Sequence, residues 1–161
     1  VPALAGQNAK YIMASLEAYK RGERKHPTMR AVAGSLTEQD MADLAAFYAS
    51  QGKAPIAETP SRAASAAVAE LLTKGACVSC HGANFSKPID PSYPKLAGQH
   101  SDYLYVALKS YTVEGNPYVG RSNGVMAGVA KQFKPSELKQ IANYLGSIEG
   151  EMQNKPESRF R

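Results

Sequence analysis

Cys77-Val78-Ser79-Cys80-His81 is the stretch on which the reading of this chain turns. Its cysteines are i and i+3, and its histidine is i+4 from the first. One turn of helix therefore presents two thiols and an imidazole on a single face. That grouping suits one flat ligand: two thiols can bond the two vinyl groups at one edge of a porphyrin while the adjacent imidazole reaches the iron. The five-residue pattern is specific for covalent haem attachment, and it marks Cys77, Cys80 and His81 as cofactor-binding residues, with His81 the proximal ligand of the iron. Three other readings compete. A zinc site needs a fourth ligand and usually a second cysteine pair, and the remaining histidines, His26 and His100, form no recognisable pair. A thioredoxin-like redox pair stands between a strand and a helix, and no strand pattern precedes Cys77. A disulfide across so short a loop constrains little of the unfolded chain.

Upstream of the cysteines, Ala64, Val68, Leu71 and Leu72 form an amphipathic stripe that ends near Gly75. Downstream, the iron's sixth position needs a partner, and in electron-transfer haems a methionine thioether commonly fills it and raises the potential. Met126 is the candidate. It lies in a stretch from 115 to 128 with four glycines, two asparagines and a proline, which predicts a pliant loop able to bring a sulfur to iron. The alternative for Met126 is a methionine that fills the core. Met13 and Met41 fall on helical faces and read as core residues, while Met152 falls in a polar tail where no pocket is expected.

The segment after the motif also opens the chain. Pro94-Lys95-Leu96-Ala97-Gly98-Gln99 repeats Pro2-Ala3-Leu4-Ala5-Gly6-Gln7, and in the same register Tyr103, Leu108 and Tyr111 repeat Tyr11, Leu16 and Tyr19. After a five-residue shift Met126, Val129 and Ala130 repeat Met29, Val32 and Ala33. Leu138, Ile141, Ala142 and Leu145 then answer Met41, Leu44, Ala45 and Tyr48, each set spaced i, i+3, i+4, i+7 on one helical face. Thr37 with Asp40 resembles a capping box, Pro135 suits a first helical position and Gly150 a stop. An earlier helix in each copy is predicted over about 8–21 and 100–113. The division that results is a partial unit at 1–52, a linker at 53–61 with two prolines and no periodicity, a whole unit at 62–150 and a polar tail at 151–161. No β-type alternation of useful length occurs, so the fold class is all-α.

Composition agrees with a folded chain: 161 residues, 43% apolar, with no apolar run approaching the roughly 20 residues that span a bilayer. No secretion leader stands at the front, so an export signal is expected to have been removed or never included. The net charge of +5 is spread over separated Lys and Arg residues, a pattern that gives nucleic-acid binding no support.

With the Cys-x-x-Cys-His motif, the Pro94–Gln99 stretch, the late methionine and the final amphipathic helix in this order, residues 62–150 resemble a class I cytochrome c domain. The tandem Pro-x-Leu-Ala-Gly-Gln and the Tyr103–Leu108 helix resemble the dihaem cytochrome c-four group. That resemblance implies a periplasmic carrier, not an enzyme, which shuttles single electrons between a dehydrogenase or quinol-oxidising complex and a terminal oxidase; peripheral membrane association is compatible with it. The alternative is a haem c subunit of a larger redox enzyme or respiratory complex. The resemblance also implies that the Pro94 carbonyl accepts the His81 Nδ1 hydrogen, and that Arg121 and Asn123 lie in the loop that holds haem propionates. Tyr93 and Tyr103 read as packing residues. Members of the group carry the attachment motif in both domains, whereas residues 1–52 hold no cysteine. Either the front of the first domain is missing from this chain or its haem has been lost. The first is expected, because Met29 stands at the ligand position and is a candidate axial ligand of a first haem; an ordinary buried methionine is the alternative there. One haem c is thus expected at Cys77 and Cys80, and a second if the missing front exists.

Overall fold

The computed structural model describes residues 1–154. The tail expected over 151–161 lies outside the described residues from 155 onward. In chain order the elements are α1 (Ala9–Arg21), β1 (Arg24–Lys25), α2 (Pro27–Gly34), α3 (Glu38–Ala49), α4 (Ala66–Lys74), α5 (Cys77–His81), α6 (Ser101–Ser110), β2 (Gly120–Arg121), α7 (Gly124–Ala130) and α8 (Pro135–Ser147). The fold is helical as expected, with one small addition: β1 and β2 pair antiparallel, Arg24 opposite Arg121 and Lys25 opposite Gly120. Two residues a side is too short for any alternation to register in the sequence.

Local chemistry fixes most helix ends. The Thr37 hydroxyl accepts from the Asp40 N–H at 3.1 Å and the Asp40 carboxylate accepts from the Thr37 N–H at 2.8 Å, the reciprocal pair that starts α3. Pro135 occupies the first turn of α8, where its missing N–H costs nothing. That helix ends at Ser147, three residues before Gly150, because Ile148 turns extended and buries its side chain in the core. Gly150 answers a different demand. A Cβ there would lie 1.9 Å from the Ala97 carbonyl oxygen, so backbone meets backbone with no room for a side chain.

Met126 is not on a loop as expected; it lies in the first turn of α7. The Asn123 side chain accepts from the Met126 N–H at 3.0 Å and caps that helix. In the other copy the His26 Nδ1 does the same for Met29 N–H at 3.3 Å, which starts α2. Asn123 is therefore a cap residue, exposed on its own side of the helix.

The core of the second copy runs along α8, where Leu138, Ile141, Ala142 and Leu145 pack with Leu104 of α6, Leu72 of α4, Phe85 and Ala97. In the first copy Ile12, Ala33, Met41 and Ala45 form the buried set of α1 to α3. Met41 is core as expected, and Met13 is half-buried. The copies differ on one face. Ile141 and Tyr144 are covered, whereas their counterparts Leu44 and Phe47 are 36% and 58% exposed, since no described element stands against α3 as α4 stands against α8.

The copies meet through an exchange related by a pseudo-twofold axis. Gln7 Oε1 accepts from Lys95 N–H at 2.7 Å while Gln7 Nε2 donates to the Lys95 carbonyl at 3.0 Å. Gln99 makes the same two bonds to Ala3, at 2.7 and 3.0 Å. Both Nε2 groups also donate to the Met152 sulfur, at 3.5 and 3.7 Å. This overturns the expectation that Met152 has no pocket, since its side chain is 1% exposed and ranks with Phe85 as the largest of the fully buried ones. The segment that carries it is tied to both sides of the first copy: Lys53 N–H donates to the Glu151 carbonyl and Gln153 N–H to the Ala5 carbonyl, each at 2.8 Å.

Truncating Met152 to Ala should therefore cost about 2–5 kcal/mol, the range for large buried apolar side chains. Chemical denaturation of the wild type and the variant measures it. A tail residue in solvent would instead change stability by no more than about 0.5 kcal/mol.

Candidate haem centre

The turn that carries the two thiols is set apart from α4 by a break. Ala76 adopts the left-handed conformation (φ 49°, ψ 34°), at a cost of about 1–2 kcal/mol for a residue with a Cβ. The chain thus restarts at Cys77 in a new direction. On the far side Gly82 sits at φ 83°, and a Cβ there would lie 2.2 Å from the Lys87 carbonyl oxygen. Between these two points α5 presents Cys77, Cys80 and His81 at i, i+3 and i+4, as the spacing predicts. Cys77 is half-buried against the core of α4 and α8, Cys80 is half-buried, and both are free thiols. Burial pushes the Cys77 thiol above its ordinary pKa. No cluster of three or more His, Cys, Asp or Glu residues that could hold a metal ion exists among the described residues.

His81 is the buried member of the turn. Its Nδ1 lies 3.4 Å from the Pro94 carbonyl oxygen, the pairing that the family resemblance implies. A carbonyl only accepts, so Nδ1 carries the hydrogen and Nε2 keeps its lone pair. Burial holds the imidazole below its ordinary pKa, with the Pro94 hydrogen bond opposing part of that effect. The ring is therefore neutral at neutral pH and competent as a ligand.

His81 lines an apolar cavity of about 470 Å³ between the two copies. Both Met126 and Met29 line the same cavity, with Leu104, Leu108 and Leu145 among the apolar side chains around them. One imidazole and two thioethers thus share one chamber. His26 and His100 stand outside it, each at the start of a helix.

Sequence reasoning picked out Arg121 but missed its counterpart, Arg24, although the register that aligns Met29 with Met126 also aligns these two. Arg121 donates to the Tyr11 hydroxyl at 2.7 Å and Arg24 to the Tyr103 hydroxyl at 2.6 Å, each across the boundary between copies. Tyr103 is therefore a cavity-lining hydrogen-bond partner as well as a packing residue. Tyr93 is 39% exposed, and its ring is tilted by 49° to that of His81 at 6.4 Å between ring centres. Arg121 also stacks over the Tyr111 ring at 4.9 Å, and Arg24 over Tyr19 at 4.6 Å. Burial would raise the Tyr11 phenol, but the guanidiniums of Arg121 and Arg24 outweigh it and bring it down to about 8. Tyr111, where burial dominates, is pushed up to about 12. Neither arginine forms an ion pair with a carboxylate among the described residues. Two largely buried cations beside an apolar chamber form a seat for an anionic group.

Together the donor set fits a haem: two free thiols and a neutral imidazole on one turn, an apolar chamber with thioether sulfurs, and cations for acidic substituents. The comparisons agree. The family model for cytochrome c matches residues 65–149. Cytochrome c4 of Thiocapsa roseopersicina is 34% identical over 162 residues, covering 91% of this chain and 78% of that protein. A thiosulfate dehydrogenase electron acceptor of Stutzerimonas stutzeri is 29% identical, covering 91% of this chain and 70% of the relative. Among solved structures, the cytochrome c4 of Acidithiobacillus ferrooxidans superposes with a TM-score of 0.70 at 29% identity, over 91% of this chain and 88% of that one. A tandem fold, a covalent attachment turn and these relatives lead to one placement: the chain belongs to the cytochrome c family, within the cytochrome c4 group of dihaem class I electron-transfer cytochromes, and carries haem c.

Proposed function

We propose that His81 and Met126 are the axial ligands of the haem attached at Cys77 and Cys80, and that the chain is a single-electron carrier with no substrate chemistry of its own. The observation that carries this reading is the shared chamber: a neutral imidazole tied at Nδ1 and a thioether sulfur line one apolar cavity, and two free thiols stand on the same helical turn as that imidazole. Bound haem supplies the Fe(II)/Fe(III) couple. The protein's own residues do the rest. Cys77 and Cys80 would hold the group through thioether bonds, each S–H being one that can add across a vinyl group with its hydrogen passing to the vinyl carbon, so that attachment would need no oxidant. His81 is oriented by Pro94, Met126 closes the position that substrate chemistry would need, and the apolar walls limit solvent. Arg121 and Arg24 would hold the acidic substituents of the ring.

Met29 is the axial ligand of a first haem in the same reading. The bare face at Leu44 and Phe47 then receives a helix equivalent to α4, with an attachment turn equivalent to α5. The mass of the intact protein tests this, because it counts covalent haems directly. As an electron acceptor for a dehydrogenase, the role that the S. stutzeri relative is named for, the chain would hand electrons on to a terminal oxidase. The periplasm is the compartment for this work, since haem is attached by this motif outside the cytoplasm. No helix among the described residues is long and apolar enough to cross a membrane.

Replacing Cys77 or Cys80 by Ala should weaken or abolish stable haem attachment. Acid–acetone extraction of the wild type is the check: haem that leaves freely refutes covalent binding. Met126→Ala should keep the haem, admit carbon monoxide to the ferrous form and erase the thioether-to-iron charge-transfer band. In a protein whose mass counts one haem, survival of that band in the variant would assign the ligand to Met29 instead; a second haem ligated by Met29 would leave about half of it. Encounters with partners should be brief and salt-sensitive, as redox interfaces bury less than roughly 1,200 Å². From residue 61 onward there are twelve Lys or Arg against eight Asp or Glu, so the partner's surface should be acidic. With screening over about 8 Å at physiological ionic strength, transfer should slow as salt is added. A rate that holds flat or rises would replace charge steering with apolar docking.

A further inference from the structure

The loop that orients His81 is held by the other copy. Asn8 Nδ2 donates to the Tyr93 carbonyl at 3.0 Å, Gln7 Oε1 accepts from Lys95 N–H at 2.7 Å, and Gln7 Nε2 donates to the Lys95 carbonyl at 3.0 Å. These three bonds grip the backbone immediately before and after Pro94, whose carbonyl faces His81 Nδ1. We propose that Gln7 and Asn8 of the first copy are positioning residues for the His81 imidazole of the second, acting through the Tyr93-Pro94-Lys95 backbone, and that they tune the haem's potential.

The physics rests on a long hydrogen bond. At 3.4 Å the Nδ1–H···O pair is at the weak end of its range, where small displacements of the carbonyl change its strength steeply. A hydrogen bond at Nδ1 raises the basicity of a metal-bound imidazole, which favours the ferric state. A clamp that keeps Pro94 in place therefore holds the potential down, and its loss raises the potential. The pseudo-twofold partner shows what the clamp is not. Gln99 makes an equivalent set of bonds, but to Ala3, beside Pro2, where no histidine of the described chain takes the carbonyl. His100, at the position of Asn8, makes no side-chain bond at its helix start. The two glutamines thus tie the copies together equally, and only Gln7 reaches the ligand of the second.

That asymmetry supplies the control. Potentiometric titration of the holoprotein should show a positive midpoint shift in Gln7→Leu, equivalent to about three- to tenfold in the Fe(III)/Fe(II) equilibrium, the worth of one hydrogen bond. The His81 Nδ1 proton should exchange faster in its paramagnetic NMR spectrum. Gln99→Leu, which loses as many bonds at the boundary, should leave the midpoint of the His81-ligated haem and that proton unchanged. Equal shifts in both variants would mean general loosening and overturn the proposal, as would no shift in Gln7→Leu. If Gln7→Leu does not fold or load haem, Asn8→Ala decides: a smaller shift in the same direction supports the clamp, and an unchanged midpoint refutes it. The inference rests on His81 as proximal ligand. A wild type without a reversible, histidine-ligated couple would sink that reading and the clamp together, whereas a normal wild-type couple with unmoved variants sinks the clamp alone.

Discussion

Gln7 and Gln99 each close both backbone hydrogen-bonding positions of one residue in the opposite copy, and that exchange sets the walls of the chamber. Both side chains are buried, so each carboxamide has to satisfy its oxygen and both its hydrogens within the protein. The second hydrogen of each goes to Met152, whose sulfur is a weak acceptor but a well-shaped filler. Remove any of the three and buried polar groups lose partners in both copies at once. The segment after α8 is therefore structural: it runs beside Gly52 and Lys53 of one copy and Gly98 of the other, with Gly6, Gly52, Gly98 and Gly150 among the residues where backbones approach most closely.

A second exchange lies on the same axis and has the opposite electrostatic character. Arg24 and Arg121 reach across to tyrosines, and the guanidinium groups are shielded by aromatic faces. Tyrosine hydroxyls satisfy the geometry of a guanidinium but not its charge. The depressed pKa of Tyr11 records that excess: the phenol is drawn toward ionisation because nothing else nearby is negative. Propionates of a haem in the chamber would be the counter-charges this cluster calls for. The carboxamide exchange fixes the chamber's shape, and the arginine exchange fixes its charge.

The sequence carried the covalent turn and the tandem repeat plainly, because both are written in residues that few other structures require. The α3 capping box and Pro135 were also legible, being local chemistry with local consequences. The rest depended on distant partners. Met126 sits between glycines that read as a loop, yet Asn123 caps a short helix there and Ala130 buries its far end. Met152 stands among Glu151, Gln153 and Asn154 with no apolar neighbour to betray its burial. Gln7 and Gln99 were visible as repeated residues, but nothing in one copy states that its glutamine bonds to the other. Arg24 was recoverable from the repeat register and was lost because the residues around it differ.

Equivalent positions in the two copies have taken unequal duties, and the difference follows from what each one faces. Leu44 and Ile141 occupy the same place on their helices, yet α4 covers only the second. Asn8 and His100 stand at the same helix start, yet only Asn8 finds a carbonyl to hold. Duplication supplied the twofold frame, and the frame constrains backbone and carboxamides because a change on one side breaks bonds on both. Side chains that point away from the axis are free of that constraint. An electron carrier makes use of such a division, since its ligand geometry must change little between oxidation states while its surface meets different partners. A rigid axis with divergent flanks meets both demands in one chain.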